Sequence, residues 1–132
     1  MVKIYGFGNA LIDLEISITD QELASLHIKK GSMVHISSKQ KNFWLKKFNK
    51  NIISKLPGGS IANSLYAASS QKAICALSCS LGNDQEGSRF VDGFDGTSTQ
   101  LFHQYSKKPT GVCFIFVTPD GERTMASNLS AN

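Results

Sequence analysis

The chain has 132 residues, a formal net charge of +4, and 41% hydrophobic residues. That length suits one domain with its own core, and the lack of any low-complexity tract or fixed-period repeat excludes a disordered or solenoid protein. Of 14 basic residues only Arg89 and Arg123 are arginines, which argues against reading of nucleic-acid sequence, where bidentate base contacts are chiefly arginine's.

The N-terminal stretch through Ile16 is apolar at first, but polar and acidic residues interrupt it at once. It has no signal-peptide pattern, and no window reaches the length of a membrane span. A cytoplasmic protein without a membrane partner is expected. Lys3–Phe7 predicts a buried strand. Gly6-Phe7-Gly8 invites a dinucleotide-binding reading, but Leu11 stands where the third glycine belongs. Ile12, Leu14, Ile16 and Ile18 then alternate with other residues, which is the period of a half-buried strand and not of a helix that could face a pyrophosphate.

Gly31-Ser32 marks a turn, and Met33, Val34 and Ile36 predict a short strand. Ser37 and Gln40 have the spacing of a capping box. Trp44, Phe48 and Ile52 follow at helical spacing, with lysines on much of the other face. Two readings stand for this helix: a solvated basic face over a core-facing aromatic stripe, or a surface for membranes or acidic partners. Pro57-Gly58-Gly59-Ser60 breaks the pattern, and Ile61–Ser70 predicts a helix starting just after the glycines.

Ala73–Leu81 is a continuous apolar run, typical of a strand covered on both faces. Gly82-Asn83-Asp84 turns the chain, and Asp84 can cap a short helix through Phe94. Gln100–Tyr105 predicts a weaker strand. Val112–Val117 and Arg123–Ser127 flank Pro119-Asp120-Gly121, a hairpin signal because proline and glycine supply the turn's dihedrals. The order of elements argues for an α/β fold. Cys75, Cys79 and Cys113 form no Cys-x-x-Cys pair and sit in apolar runs, so buried reduced thiols are expected. A metal site from Cys75, Cys79 and a histidine would have no recognised spacing.

The segment with most chemical content is Pro57-Gly58-Gly59-Ser60-Ile61-Ala62-Asn63. Two glycines before a helix let a ligand approach the backbone, and the free amides of the helix start can donate to ligand oxygens. Asn63 lies one turn on, and its amide offers a donor and an acceptor, as a sugar hydroxyl needs. Spacing alone leaves a plain turn followed by a helix with an incidental asparagine equally open.

Gly58-Gly59-x-x-x-Asn63 resembles the first signature of the ribokinase-like pfkB family of carbohydrate and nucleoside kinases. Three more segments match in order. Gly8-Asn9-Ala10-Leu11-Ile12-Asp13 is similar to the family's first strand, Leu81–Gly87 to its Gly-x-Asp-x-x-Gly turn, and Thr110–Cys113 with Pro119–Thr124 to its lid hairpin. The resemblance implies a mostly parallel sheet flanked by helices, with a small β-lid. It implies ATP-dependent phosphorylation of a primary hydroxyl on a sugar or nucleoside in the intact enzyme. The adenosine-kinase-like branch is the nearer match, through Gly58–Ser64 and Ala126–Asn132.

By the same resemblance Asp13 accepts hydrogen bonds from two adjacent sugar hydroxyls, or else is a strand-end cap. Asn9 faces the substrate from the same loop, and Gly58, Gly59 and Asn63 line the opposite wall. Arg123 places charge near the transferred phosphate, or lies on the lid surface. No catalytic residue is assigned. The family's second signature, a Gly-Ala-Gly-Asp segment opening a helix, does not occur, and Asp92-Gly93-Phe94-Asp95-Gly96 is only superficially similar.

Residues 1–132 therefore read as the N-terminal substrate-binding and lid portion of such a kinase, without the ATP-binding catalytic half. ATP and Mg²⁺ are expected in the intact enzyme and neither on this portion, which would bind acceptor at most. The rival readings are an inactive sugar- or nucleoside-binding module and a protein that dimerises through its lid. A homodimer through lid or edge strands is expected.

Overall fold

A computed structural model describes residues 3–132; Met1 and Val2, which begin the apolar N-terminal stretch, lie outside the described residues. In chain order the elements are β1 (Lys3–Phe7), β2 (Leu11–Ser17), α1 (Asp20–Ser25), β3 (Met33–His35), α2 (Ser38–Lys47), β4 (Ile52–Gly58), α3 (Ser60–Ser70), β5 (Ile74–Gly82), α4 (Gln85–Asp92), β6 (Thr99–Ser106), β7 (Gly111–Val117) and β8 (Arg123–Asn128). The chain divides into two compact units. The first takes the chain up to Ile12, then Leu56–Gly111 and Leu129–Asn132; the second takes Asp13–Lys55 and Val112–Asn128.

The first unit is built on a three-stranded sheet in the order β1-β5-β6, parallel throughout. Helix α3 packs against β1 and β5, and Phe94, just past α4, meets Tyr66 of α3 edge to face at 6.1 Å. Cys75, Leu77 and Leu81 point from the central strand into this covered side with Leu65 and Phe90, and all five are buried. Gly6 and Gly8 are the reason α3 can come so close. A Cβ on either would stand 2.7 Å from the Ile61 side chain. The Gly-x-Gly of the sequence is thus a packing device for a helix, and β2 follows it as the alternation predicts.

Asp84 holds the far end of the unit. One carboxylate oxygen accepts from the Gly87 amide (2.8 Å), capping α4, and from the Thr110 hydroxyl (2.6 Å); the other accepts from the Thr110 amide (2.8 Å). The Gly82 amide donates to the Thr110 hydroxyl at 2.9 Å. Gly82 and Gly87 leave no room for a Cβ against Thr110 and the Gly82 carbonyl. The Gly-x-Asp-x-x-Gly segment is therefore a clamp between a helix start and the buried Thr110, just before β7.

The second unit is built on the five-stranded sheet β3-β8-β7-β2-β4, in which β7 and β8 are antiparallel and β3 pairs parallel with β8. Its core is aromatic. Trp44 of α2 stands edge-on to Phe114 and Phe116, both at 5.6 Å, and Phe48 meets Phe116 at 5.4 Å. Leu14 and Ile16 are buried with them. Ser37 and Gln40 form the capping box. The aromatic stripe of α2 is thus spent on the core. The hairpin turn has Gly121 at φ +82°, and Lys30 joins Asp20 and Asp120, each at 2.7 Å.

Four expectations need correction. Lys3–Phe7 is a strand but mostly exposed, and Ala73–Leu81 is covered on one face only: Tyr5, Phe7 and Phe102 of this sheet are exposed. Ile52 does not continue the helix; α2 ends at Lys47, and Ile52 begins β4. Pro57 does not break structure but lies in β4, which it can do because β4 is at the sheet edge, where a missing N–H costs no ladder bond. Helix α1, with its Thr19–Glu22 capping box, was hidden by its short length. No helix among the described residues is long and apolar enough to cross a membrane.

Replacing Asp84 with alanine removes a helix cap and strands the buried Thr110 amide, which should cost about 2–4 kcal/mol. The midpoint of urea denaturation should fall with little change in slope; an unchanged midpoint would show that the clamp carries no stability.

Candidate functional site

Asn9, Gly58, Gly59 and Asn63 belong to the first unit. Gly59 is the N-cap of α3 at φ +100°, a backbone region that L side chains avoid. An added Cβ there would collide with the Asn9 carbonyl oxygen. Two separate constraints, dihedral and space, therefore demand glycine at 59, and both hold the start of α3 against the loop that follows β1. The same loop is fixed from the other side. The Asn132 amide donates to the Ala10 carbonyl (3.0 Å) and accepts from the Ala10 N–H (2.9 Å), pairing with the backbone as a strand neighbour would. Asn132 was not singled out from the sequence, and its partner lies 122 residues away.

The side chains lead to different cavities. Asn9 lines a cavity of about 630 Å³ with Phe7, Ser78, Phe102 and Asn132. Asn63 lines a smaller one of about 330 Å³, mainly apolar, with Leu56, Pro57, Tyr66 and Phe94. Each of the two asparagines has an amide able to donate and accept.

Asp13 and Arg123 belong to the second unit, on the sheet face away from Trp44. Asp13 lies close enough to Cys113 for its charge to act on the thiol. Arg123 pairs with Val117, four residues further along β7 from Cys113, or about 13 Å at strand spacing. The two are therefore on one face but not adjacent. Arg123 is exposed at the start of β8, beside the hairpin turn.

Burial pushes the Asp13 carboxyl above its ordinary 3.8. The Cys113 thiol is pushed up to about 12, first by burial and then by Asp13. Cys79 is pushed to about 11 by burial. Those two cysteines are protonated at neutral pH, and none of the three is in a disulfide.

No three His, Cys, Asp or Glu gather as metal ligands among the described residues. Asp92 ends α4 and Gly93 is its C-cap, so Asp92–Gly96 closes a helix instead of opening one. Carbonyls, not free amides, face out from such an end. The first unit carries two amide side chains and the amides at the start of α3, and the second unit carries the Asp13 carboxyl.

The pfkB family carbohydrate kinase profile matches residues 28–132. The chain belongs to the pfkB family. Among curated proteins it is similar to adenosine kinase 2 of Arabidopsis thaliana, 25% identical over 97% of this chain and 38% of that protein. Among solved structures it resembles a probable sugar kinase from Rhizobium etli CFN 42, with TM-score 0.88 and 25% identity over 98% of this chain and 39% of that one. It also resembles the adenosine kinase from Sinorhizobium meliloti, with TM-score 0.87 and 26% identity over 98% of this chain and 40% of that one. The chain therefore spans about two fifths of the length of these relatives, and its fold is part of the ribokinase-like kinase fold.

The raised Asp13 makes a stability prediction for this pfkB chain. A carboxyl whose folded value lies above its unfolded value subtracts stability when ionised. The penalty is complete above the folded value, shrinks as pH falls through it, and is gone below the unfolded 3.8. Asp13→Asn should therefore be more stable than the wild type at pH 7, with denaturation midpoints converging by about pH 3. Equal midpoints at pH 7 would show that Asp13 is not held at a cost.

Proposed function

We propose that this chain is the acceptor-binding portion of an ATP-dependent kinase that phosphorylates a primary hydroxyl of a nucleoside or sugar. The family match over residues 28–132 carries the reading. The Gly59–Asn9 approach, which two constraints reserve for glycine, supports it. The two adenosine kinases among its relatives favour a nucleoside over a free sugar.

In this reading Asp13 accepts hydrogen bonds from two neighbouring hydroxyls of the acceptor. Asn9 faces the acceptor from its loop, Gly58, Gly59 and Asn63 line the opposite wall, and Arg123 brings positive charge from the lid. ATP and Mg²⁺ supply the phosphoryl group and its charge neutralisation in the intact enzyme. That reaction relies on positioning and electrostatics for most of its rate. Residues 1–132 hold no Gly-Ala-Gly-Asp segment, so they carry only the acceptor side of that arrangement. A cytoplasmic setting, where thiols stay reduced, belongs to the same reading.

The purified chain should form no ADP above buffer level with ATP, Mg²⁺ and a panel of nucleosides and sugars. Substrate-dependent ADP formation by these 132 residues would overturn the acceptor-only reading. In an intact kinase containing this segment, Asp13→Ala should remove a charge-assisted hydrogen bond of about 1.5–3 kcal/mol and raise the acceptor KM by tens to about a hundredfold. An unchanged KM would make Asp13 a purely structural residue.

The sheet edges at β3 and β4 carry the exposed Met33 and Ile53. Open strand edges pair with other chains unless something blunts them, so lid or edge pairing into a two-fold dimer belongs to the same proposal. Light scattering on gel filtration should then give twice the 14.4 kDa of one chain. A single-chain mass at all concentrations would rule the dimer out.

A further inference from the structure

The core takes only one side of α2. Trp44 and Phe48 belong to the aromatic cluster of the second unit, and Lys41 is buried with them. At 3.6 residues per turn, these three fall roughly 100–160° around the axis from Phe43, whereas Lys39, Lys46 and Lys47 fall within about 60° of it. Phe43 is therefore the centre of the outward side, at 61% exposure, with exposed lysines one turn before it and one turn after it. Lys50, also exposed, follows in the short 3₁₀ turn Asn49–Asn51.

Little negative charge opposes these lysines. Between Glu22 and Asp84 the sequence holds nine lysines and no acidic residue. The acids of the second unit are mostly placed elsewhere. Strand alternation puts Asp13 and Glu15 on the sheet face away from Trp44. Asp20 and Asp120 both join Lys30, and Glu122 stands beside Gly31. Glu22 sits in the Thr19 capping box and is the carboxylate that Lys47 acts on. Lys47 is also 5.3 Å from the centre of the Phe48 ring. Lys39, Lys46 and Lys50 have no ion pair among the described residues.

We propose that this side of α2 rests on an anionic phospholipid surface, with the lysines against the headgroup phosphates and Phe43 just below them. Phenylalanine has no polar group to offer a partner, and the boundary between headgroups and acyl chains buries such a ring. Lysine is a flexible point charge that needs no fixed geometry, which suits mobile headgroups; arginine, the residue of nucleic-acid sites, is absent from α2 and its flanks. The outer side of a helix standing on a sheet is convex. It offers no groove to an acidic peptide, and a flat bilayer needs none. The helix lies on the bilayer without entering it, because its apolar side is already in the protein core. None of this depends on which hydroxyl compound the kinase takes.

The test is vesicle co-sedimentation of the 132-residue chain. Each lysine near an anionic surface is worth about fivefold in partition, so Lys39, Lys46 and Lys50 together give about a hundredfold. The chain should therefore bind vesicles containing phosphatidylserine about a hundredfold better than pure phosphatidylcholine vesicles at low salt. The difference should vanish at roughly 0.5 M salt, where charges are screened within a few ångströms. Equal partition to the two kinds of vesicle overturns the proposal. That comparison uses the wild-type chain, so it stands whatever the variants do.

Three variants then locate the contact. Lys46→Glu with Lys50→Glu should lower binding to the anionic vesicles at least about 25-fold. Lys107→Glu with Lys108→Glu makes the same change in net charge on the exposed turn between β6 and β7, and should lower it less than about threefold. Equal losses in the two pairs would trace binding to net charge alone and overturn the assignment to α2. Phe43→Ser should lower lipid binding about tenfold and leave retention on heparin unchanged. A Phe43→Ser chain that binds lipid like the wild type overturns the lipid reading. So does single-stranded DNA that strips the wild-type chain from the vesicles at equal phosphate concentration, because the face is then a general polyanion site. Trp44, the single tryptophan, is buried on the core side of α2, and its fluorescence reports that each variant has kept its fold. Failure of ATP turnover would count against the acceptor-kinase reading and not against this surface.

Discussion

The close approach of α3 to the first strand is the constraint on which the rest of the candidate site depends. Ile61 fills the space that Cβ atoms on Gly6 and Gly8 would take, and Gly59 at φ +100° backs onto the Asn9 carbonyl. Three glycines on two segments far apart in sequence thus serve one contact. With larger residues there, the helix start would stand off and the amides beside Gly59 would no longer face the loop carrying Asn9. Asn132 completes the arrangement by satisfying both backbone groups of Ala10. A loop near a binding site is usually mobile because its backbone groups bond to water. This one is held by protein on two sides.

Several of the sequence features that suggest chemistry serve packing instead. The Gly-x-Gly near the N-terminus, which resembles a nucleotide motif, accommodates a helix. The Gly-x-Asp-x-x-Gly turn is a clamp on Thr110, with three hydrogen bonds from Gly87 and Thr110 to one carboxylate. The basic helix spends Trp44 and Phe48 on the aromatic core. Asp13 is the opposite case. Burial raises its carboxyl above the ordinary 3.8. Carboxylates are rarely kept in such places for stability, and a half-buried, perturbed acid is a functional candidate with a physical rationale.

The parallel sheet of the first unit is covered on one face and open on the other. A helix covers β1 and β5 on one side because the segment between β4 and β5 is present to form it. On the other side Tyr5, Phe7 and Phe102 stand exposed.

Local pattern was enough to read most of the elements, because their determinants are local. The capping boxes at Thr19 and Ser37, the Asp84 cap and the Pro119-Asp120-Gly121 turn are written within a few residues, although the first went unread in so short a helix. The motif order, from Asn9 through Gly58-Gly59 to Thr124, was enough to point to the family. Burial was not legible. The apolar run Ala73–Leu81 reads the same whether one face is covered or two, since composition does not say what lies across a sheet. The edge position that lets Pro57 sit in β4, and the placement of Asn9 and Asn63 at separate cavities, were likewise invisible. Each depends on which strand or helix stands beside another, and pairing at long range is settled by tertiary packing, which no local spacing encodes.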